Sequence, residues 1–510
     1  MISQLADTVV TGNPTALAAA AVAGFFIFRF VRNLLGSSSL KGIPTVGVPN
    51  YPLGFYVGAW NYIKNAPALT QEGYDKYPGG VFKVPLVNQW LVILNGRELS
   101  EDLKKAPDDC LSMPSAINSM LHMEYTMGKD QYQDPYHFGV VRNTMTRNIG
   151  LGFPDMRDET IAAFQDLLPA TDDWSASPAM ENVIAIVSRI SNRFFVGMKC
   201  RDPDYIKVTS EFTIKVTQDT AWLHGLPEFI KPLAESLFGH LETHTTAAMN
   251  HLQPILEYRL EMDDKYGPNW PNGDRPNDMI SWLIDGARGH PMRRNIRSLS
   301  CTMLNVNFGA LHTITQGVLH ALYTLAVHLQ YVEPLREEIE SVVEAEGWTK
   351  AAIDKMVKLD SFLKESARYE PGTAVNVLRR ALKDYTLSNG VTLPAGTLIG
   401  LPIMAQQHDE EIYENGESFD PFRYARMKET AEEGSNIQMT TTSTDFLLFG
   451  LGRRACPGRF LAVTELKLIM SHILLNYDFK VKDGVRPDNT WIAVAGSANP
   501  TAEVLFRKRR

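Results

Sequence analysis

The stretch FLLFGLGRRACPGRF, Phe446 to Phe460, sets one cysteine among glycines and arginines just ahead of a long apolar-periodic segment, GRFLAVTELKLIMSHILLNY. Chains of this size usually hold their cysteines as small buried hydrophobes, so any other role for Cys456 has to come from its surroundings. Glycines at 450, 452 and 458 permit positive φ and close backbone approach, which lets the loop wrap against something flat or bulky. Cys456 stands at the entrance to a predicted helix running from about Gly458 to Leu475. There the unpaired N–H groups and the helix dipole favour a thiolate, the form in which cysteine ligates metal. Arg453, Arg454 and Arg459 add positive charge, for the thiolate or for anionic groups of a cofactor.

Phe449, Gly452, Arg454, Cys456 and Gly458 match the pattern FxxGxRxCxG at every fixed position, and in this the chain resembles the cytochrome P450 family. The resemblance implies that Cys456 is the proximal thiolate ligand of haem b iron, whose electron donation favours O–O cleavage. It further implies that Arg454 pairs with a haem propionate, that Phe449 packs near the sulfur, and that Gly452 and Gly458 let backbone and porphyrin meet.

Three more marks of the family follow the same order. In FLKESARYEP, Glu365 and Arg368 are three apart and share a helix face, and SFDPFRY supplies Arg423 as the third member of a Glu-Arg-Arg triad. The resemblance makes these three scaffold under the haem rather than chemistry. In FGALHTIT, Gly309 and Ala310 fit the small pair over the distal haem face and Thr313 fits the threonine of the oxygen-activating pattern. Gly309 and Thr313 are four apart, so the glycine leaves room for dioxygen and permits a local kink. His312 stands where an acid is usual and Ile314 replaces a second hydroxyl residue. Histidine is ionisable near neutrality and fits a proton relay with Thr313; it fits equally a hydrogen bond inside the helix bundle. Such a His-Thr pair resembles fungal members that act on terpenoid skeletons. Phe138 and Arg142 occupy the places of WxxxR, which puts Arg142 at a propionate and loses the indole hydrogen bond. Arg379 is a second propionate candidate, with Arg380 as its alternative because sequence does not set the strand register.

Composition narrows the rest. The 510 residues, 44% hydrophobic, suffice for a large core, and the net charge of −8 without a basic cluster argues against nucleic acid as a partner. The four cysteines are far apart and have neither disulfide nor zinc spacing. From Thr8 to Phe28 no side chain is charged, and Arg29 and Arg32 follow. A membrane helix fits this better than a cleaved signal peptide, because Asp7 and no Lys or Arg precede it. The expected division is an anchor at 1–36, a Pro/Gly hinge at 37–50 and a catalytic domain at 51–510, mainly α with small β-sheets in the cytochrome P450 fold. The catalytic body would then face the cytosol on the endoplasmic reticulum membrane.

No Gly-rich dinucleotide fingerprint follows a predicted strand, so electrons are expected from NADPH through a separate NADPH-cytochrome P450 reductase, with cytochrome b5 as a second candidate donor. Pocket walls implied by the resemblance are Leu111 to Thr126, Phe212 to Leu226, Asn305 to Phe308, Ala374 to Leu378 and Val494 to Ser497. These largely apolar segments suit a hydrophobic small-molecule substrate, a terpenoid or other secondary metabolite, oxidised with O2. Desaturation, rearrangement or oxidative coupling on the same haem is the alternative chemistry. A membrane-tethered binding protein without catalysis is the alternative from another class.

Overall fold

The computed structural model describes residues 40–510 apart from residue 52 and residues 431–435. The segment read as a membrane anchor, 1–36, and the first residues of the hinge lie outside the described residues. Among the described residues no helix is long and apolar enough to cross a membrane.

Helix α1 (Gly54–Lys76) leads into the β-like run near 80–97, which folds as an antiparallel hairpin of β1 (Val81–Pro85) and β2 (Trp90–Leu94). Apolar β-branched and aromatic side chains dominate both strands and are buried on both faces. Strands β3 (Leu111–Ser112), β4 (Asn376–Ala381) and β5 (Leu398–Leu401) complete the sheet in the order β1-β2-β5-β4-β3, with only the β2–β5 pair parallel. Asn389-Gly390 is a hairpin-turn signal in the sequence, and a hairpin forms there between Tyr385–Thr386 and Thr392–Leu393, with Gly390 at φ 82°.

The larger layer is helical. It contains α2 (Arg97–Lys105), α3 (Thr146–Leu167), α4 (Ala179–Val196), α5 (Pro203–Leu223), α6 (Ile296–Val327), α7 (Val357–Tyr369) and α8 (Arg459–Asn476). The 32 residues of α6 span about 48 Å. Asn295 caps its start, accepting from the Ser298 N–H at 2.9 Å. Leu299 to Asn307 and Val318 to Ala326 are buried all round, as befits a helix through the middle of a core, with α4, α5, α7 and α8 packed against it. Between those flanks Gly309 and Thr313 are exposed. The interruption of burial marks where the core opens.

Several local expectations shift. At Gly309, where the sequence permits a kink, α6 continues without a break, and Thr313 Oγ1 bonds back to the helix carbonyls. Pro334, inside the helical run from Asn295 to Glu346, predicts a break there; the break falls earlier, at His328, and Pro334 sits in the first turn of Val332–Glu346, where a missing N–H goes unnoticed. The polar stretch from Met427 reads in sequence as a surface loop, yet its start continues the helix Arg423–Thr430, whose first turn docks on α7 through Ser361.

Glu365 and Arg368 on α7 are fully buried. Arg368 makes a forked pair with the Glu365 carboxylate, two N–H donors at 2.8 Å, and donates its remaining protons to the carbonyls of Gln407, Gly416 and Ser418. Arg423 Nε reaches both carboxylate oxygens at 3.2 Å. Removing one partner of such a cluster strands a charge without water. Glu365→Ala is therefore expected to destabilise the protein by about 3–5 kcal/mol, measured as the shift in urea midpoint. Lys76→Ala, which breaks an exposed pair with Glu72, should leave the midpoint unchanged. Equal midpoints for the two variants would show that the buried triad does not hold the fold.

Candidate active site

A cavity of about 500 Å³ lies between α6 and the Phe446–Phe460 loop. Gly309, Ala310 and Thr313 form one wall; Phe449, Cys456 and Gly458 form part of the opposite one. A Cβ placed on Gly309 would meet nothing within 4 Å, so this wall is open to the cavity. Thr313 Oγ1 donates to the Gly309 carbonyl at 3.0 Å and the Ala310 carbonyl at 3.2 Å, the back-bonding that a helical threonine adopts without another acceptor.

The cysteine loop closes on itself through the Cys456 N–H, which donates to the Phe449 carbonyl at 2.8 Å, and through a short turn at Gly452–Arg454. Gly450 and Gly452 take positive φ, 74° and 60°. Gly452 also passes close to α2: a Cβ there would lie 3.0 Å from the Lys104 carbonyl oxygen. Gly458 differs from expectation, with φ −89° and the Val141 side chain 3.9 Å from where a Cβ would stand. Its place as the cap of α8 asks for no left-handed backbone.

Burial pushes the Cys456 thiol up from its ordinary value, while the Gly458 and Arg459 N–H groups and the Arg459 guanidinium pull it down. The helix-start effect expected from sequence is present, but burial outweighs it. Arg459 is anchored by the Cys456 carbonyl at 2.9 Å and the Thr440 carbonyl at 3.0 Å.

The other arginines gather beside the loop. Arg454 forms a forked pair with Asp108, at 2.9 and 2.6 Å, which holds the Asp108 carboxyl below its usual range. Arg142 donates to the Arg453 carbonyl at 3.0 Å. The alternation of β4 settles the register that sequence left open: Arg379 is buried, whereas Arg380 reaches the Gly396 carbonyl and Gln89. Burial pulls Arg379 down to about 10, and its hydrogen bond goes to the Leu378 carbonyl rather than to a carboxylate.

His312 faces the cavity and α5. Its ring is hydrogen-bonded to the Thr213 backbone, Nε2 has no partner, and burial lowers its pKa. Three of the five expected pocket segments reach the cavity, through Asn305, Asn376 and Gly496 among others. Leu111 to Thr126 and Phe212 to Leu226 stand outside its wall; α5 lies behind His312. Sequence reasoning missed Asp108 and His137. Asp108 is 346 positions from Arg454, and no spacing rule links them.

A helical prism with a small mixed sheet, a cysteine loop and a continuous central helix that is exposed at Gly309 and Thr313 over one cavity defines a haem-thiolate oxygenase fold. The cytochrome P450 family model matches residues 54–506. Cytochrome P450 monooxygenase 103 of Postia placenta is 40% identical over 480 residues, covering 93% of this chain and 94% of that protein. Cytochrome P450 monooxygenase CYP512U6 of Ganoderma lucidum is 33% identical, covering 92% of each. Among solved structures, retinoic acid-bound cyanobacterial CYP120A1 superposes with a TM-score of 0.67 at 16% identity, covering 92% of this chain and 99% of that one. The chain belongs to the cytochrome P450 monooxygenase family.

Membership implies haem with an axial cysteine thiolate and electrons from a partner reductase. The residues present fit that group. Cys456 offers a soft donor in the wall, Gly309 leaves space opposite, and Arg379 is a buried cation without a bonded carboxylate.

Gly452→Ala puts a Cβ on a left-handed residue against a carbonyl and should destabilise the protein by about 1–2 kcal/mol. Gly458→Ala should leave stability close to that of the parent, since its φ is ordinary. Thermal unfolding of the two variants checks this; a larger loss at Gly458 would overturn the assignment of strain.

Proposed function

We propose that the protein is a membrane-bound haem-thiolate monooxygenase that oxidises C–H bonds of a hydrophobic small molecule of the terpenoid or related secondary-metabolite class. The observation that carries this reading is the meeting of Cys456 with Gly309 and Thr313 across one mostly apolar cavity, although the two segments are far apart in sequence. Bound haem supplies the iron at which dioxygen is activated. Cys456 Sγ would hold the haem iron, and the N–H groups of Gly458 and Arg459 would temper its charge. Gly309 keeps the distal wall clear. Thr313 Oγ1–H, held on helix carbonyls, has its acceptor side free to position a proton donor beside the reacting oxygen. Arg379, Arg454 and Arg142 are the candidates to meet the propionates. Glu365, Arg368 and Arg423 hold the floor beneath the loop.

The membrane reading is supported from outside the cavity. Phe229, Leu233, Leu237 and Phe238 are 63–82% exposed within ten residues, an apolar patch suited to a lipid surface. The uncharged amino-terminal run, 8–28, adds an anchor, and a reductase on the same endoplasmic reticulum membrane completes the electron supply.

Cys456→Ala should abolish the reduced carbon monoxide spectrum typical of thiolate-ligated haem; its persistence would remove Cys456 as ligand. Thr313→Ala should lower product formed per NADPH consumed on the order of a hundredfold while haem content stays as in the parent. A ratio within about twofold of the parent would take Thr313 out of the chemistry. Incubation with a reductase, a terpenoid panel and labelled dioxygen tests the substrate class, and product that retains the label identifies insertion of oxygen rather than coupling.

A further inference from the structure

The entry into α3 is irregular. His137–Gly139 is α-helical, Val140–Met145 is a π-turn, and regular helix resumes at Thr146. A π-turn closes i→i+5 hydrogen bonds, so it brings residues five apart toward one face, where an α-helix aligns residues four apart. Phe138 and Arg142 therefore stand on either side of the change in helical repeat.

His137 is 6% exposed and lines the same cavity as Cys456. Its Nδ1 is buried without a hydrogen-bond partner, an unfavourable state for a polar atom in a dry wall. The ring touches Phe138, with centroids 4.6 Å apart, and Tyr136 at 6.4 Å. Neither contact satisfies a ring nitrogen. Burial holds its pKa down to about 4 against the opposing pull of Asp134, so at neutral pH the imidazole is uncharged and has one N–H to give. The corner it borders is cationic. Arg142 reaches the Arg453 carbonyl at 3.0 Å, Val141 stands beside Gly458, and Arg453 adjoins Arg454. A carboxylate attached to a group inside the cavity would emerge toward these cations, and haem carries two such carboxylates on one edge.

We infer that His137 is this chain's hydrogen-bond donor to a haem propionate, one residue ahead of the position that the four-residue spacing marks. Arg142 then supplies charge from the outer side of the same turn, and Phe138 contributes only apolar wall. The hydrogen bond that sequence spacing counted as lost is provided by a different residue.

The test uses the full-length protein purified with its haem. His137→Phe keeps a ring and removes the donor; His137→Gln keeps a donor of similar reach. Haem release into excess apomyoglobin should be about tenfold faster in His137→Phe and within about threefold of the parent in His137→Gln. The propionate-bending band in the resonance Raman spectrum should move in the Phe variant and stay near its parent position in the Gln variant. Both variants should keep the thiolate-type reduced carbon monoxide spectrum. Parent-like release and band position in His137→Phe would overturn the inference. So would equal effects in the two variants, which would make His137 a packing residue. A parent protein that binds no haem would instead defeat the functional reading itself.

Discussion

The buried carboxylate of Glu365 is the constraint on which the geometry of the cysteine loop rests. It neutralises Arg368, and Arg368 fixes the carbonyls of Gln407, Gly416 and Ser418. Gln407 continues the chain of bonds: its amide donates to the Arg368 carbonyl at 3.0 Å and accepts from the Leu447 N–H at 3.1 Å. Leu447 begins the loop that ends at Cys456. Asn376 on β4 grips the Leu447 and Leu448 carbonyls from the other side, at 3.1 and 3.2 Å. One carboxylate thus orients two arginines, and through them the loop is held against a sheet and a helix at once.

A rigid loop matters because Cys456 is under opposed influences. Backbone N–H groups at a helix start favour a thiolate, and burial in an apolar wall disfavours it. Without a metal the balance tips toward the thiol. A cation placed on the sulfur reverses that balance, since a coordinating thiol is deprotonated outright. The loop therefore presents a ligand shaped by its backbone and charged by what it binds. The uninterrupted helix opposite plays the complementary part: its two buried flanks keep the Gly309–Thr313 opening fixed in position.

What was legible in the sequence were features with local spacing. The cysteine loop, the ExxR helix, the FDPFRY segment and the Gly-Ala-x-x-Thr turn each lie within ten residues, and helical or turn geometry brings their members together in the structure. The fold class followed from their order. Features that depend on packing between distant segments were not legible. Asp108 has no sequence relation to Arg454, and the choice between Arg379 and Arg380 needed the β4–β5 register. The π-turn at Val140–Met145 defeats spacing rules altogether, because a pattern written in steps of four assumes an α-helix. Gly458 was misread for a related reason: a glycine next to a functional residue suggests positive φ, whereas here the left-handed positions are Gly450 and Gly452.

The histidine in the acid position has consequences for how protons reach the distal face. A carboxylate there would be charged and would draw water. His312 is desolvated, its pKa is lowered, and its hydrogen bond to the Thr213 backbone favours keeping a proton on that side of the ring. Its Nε2 has no partner. In such a state His312 is a weak base that stays uncharged at neutral pH, and it ties α6 to α5 rather than to bulk solvent. Delivery through it requires the ring to take up one proton and release another from its other nitrogen, a two-ended exchange that a carboxylate does not need. Thr313, whose hydroxyl both donates and accepts, is then the side chain in this turn best able to hand a proton onward without changing its charge.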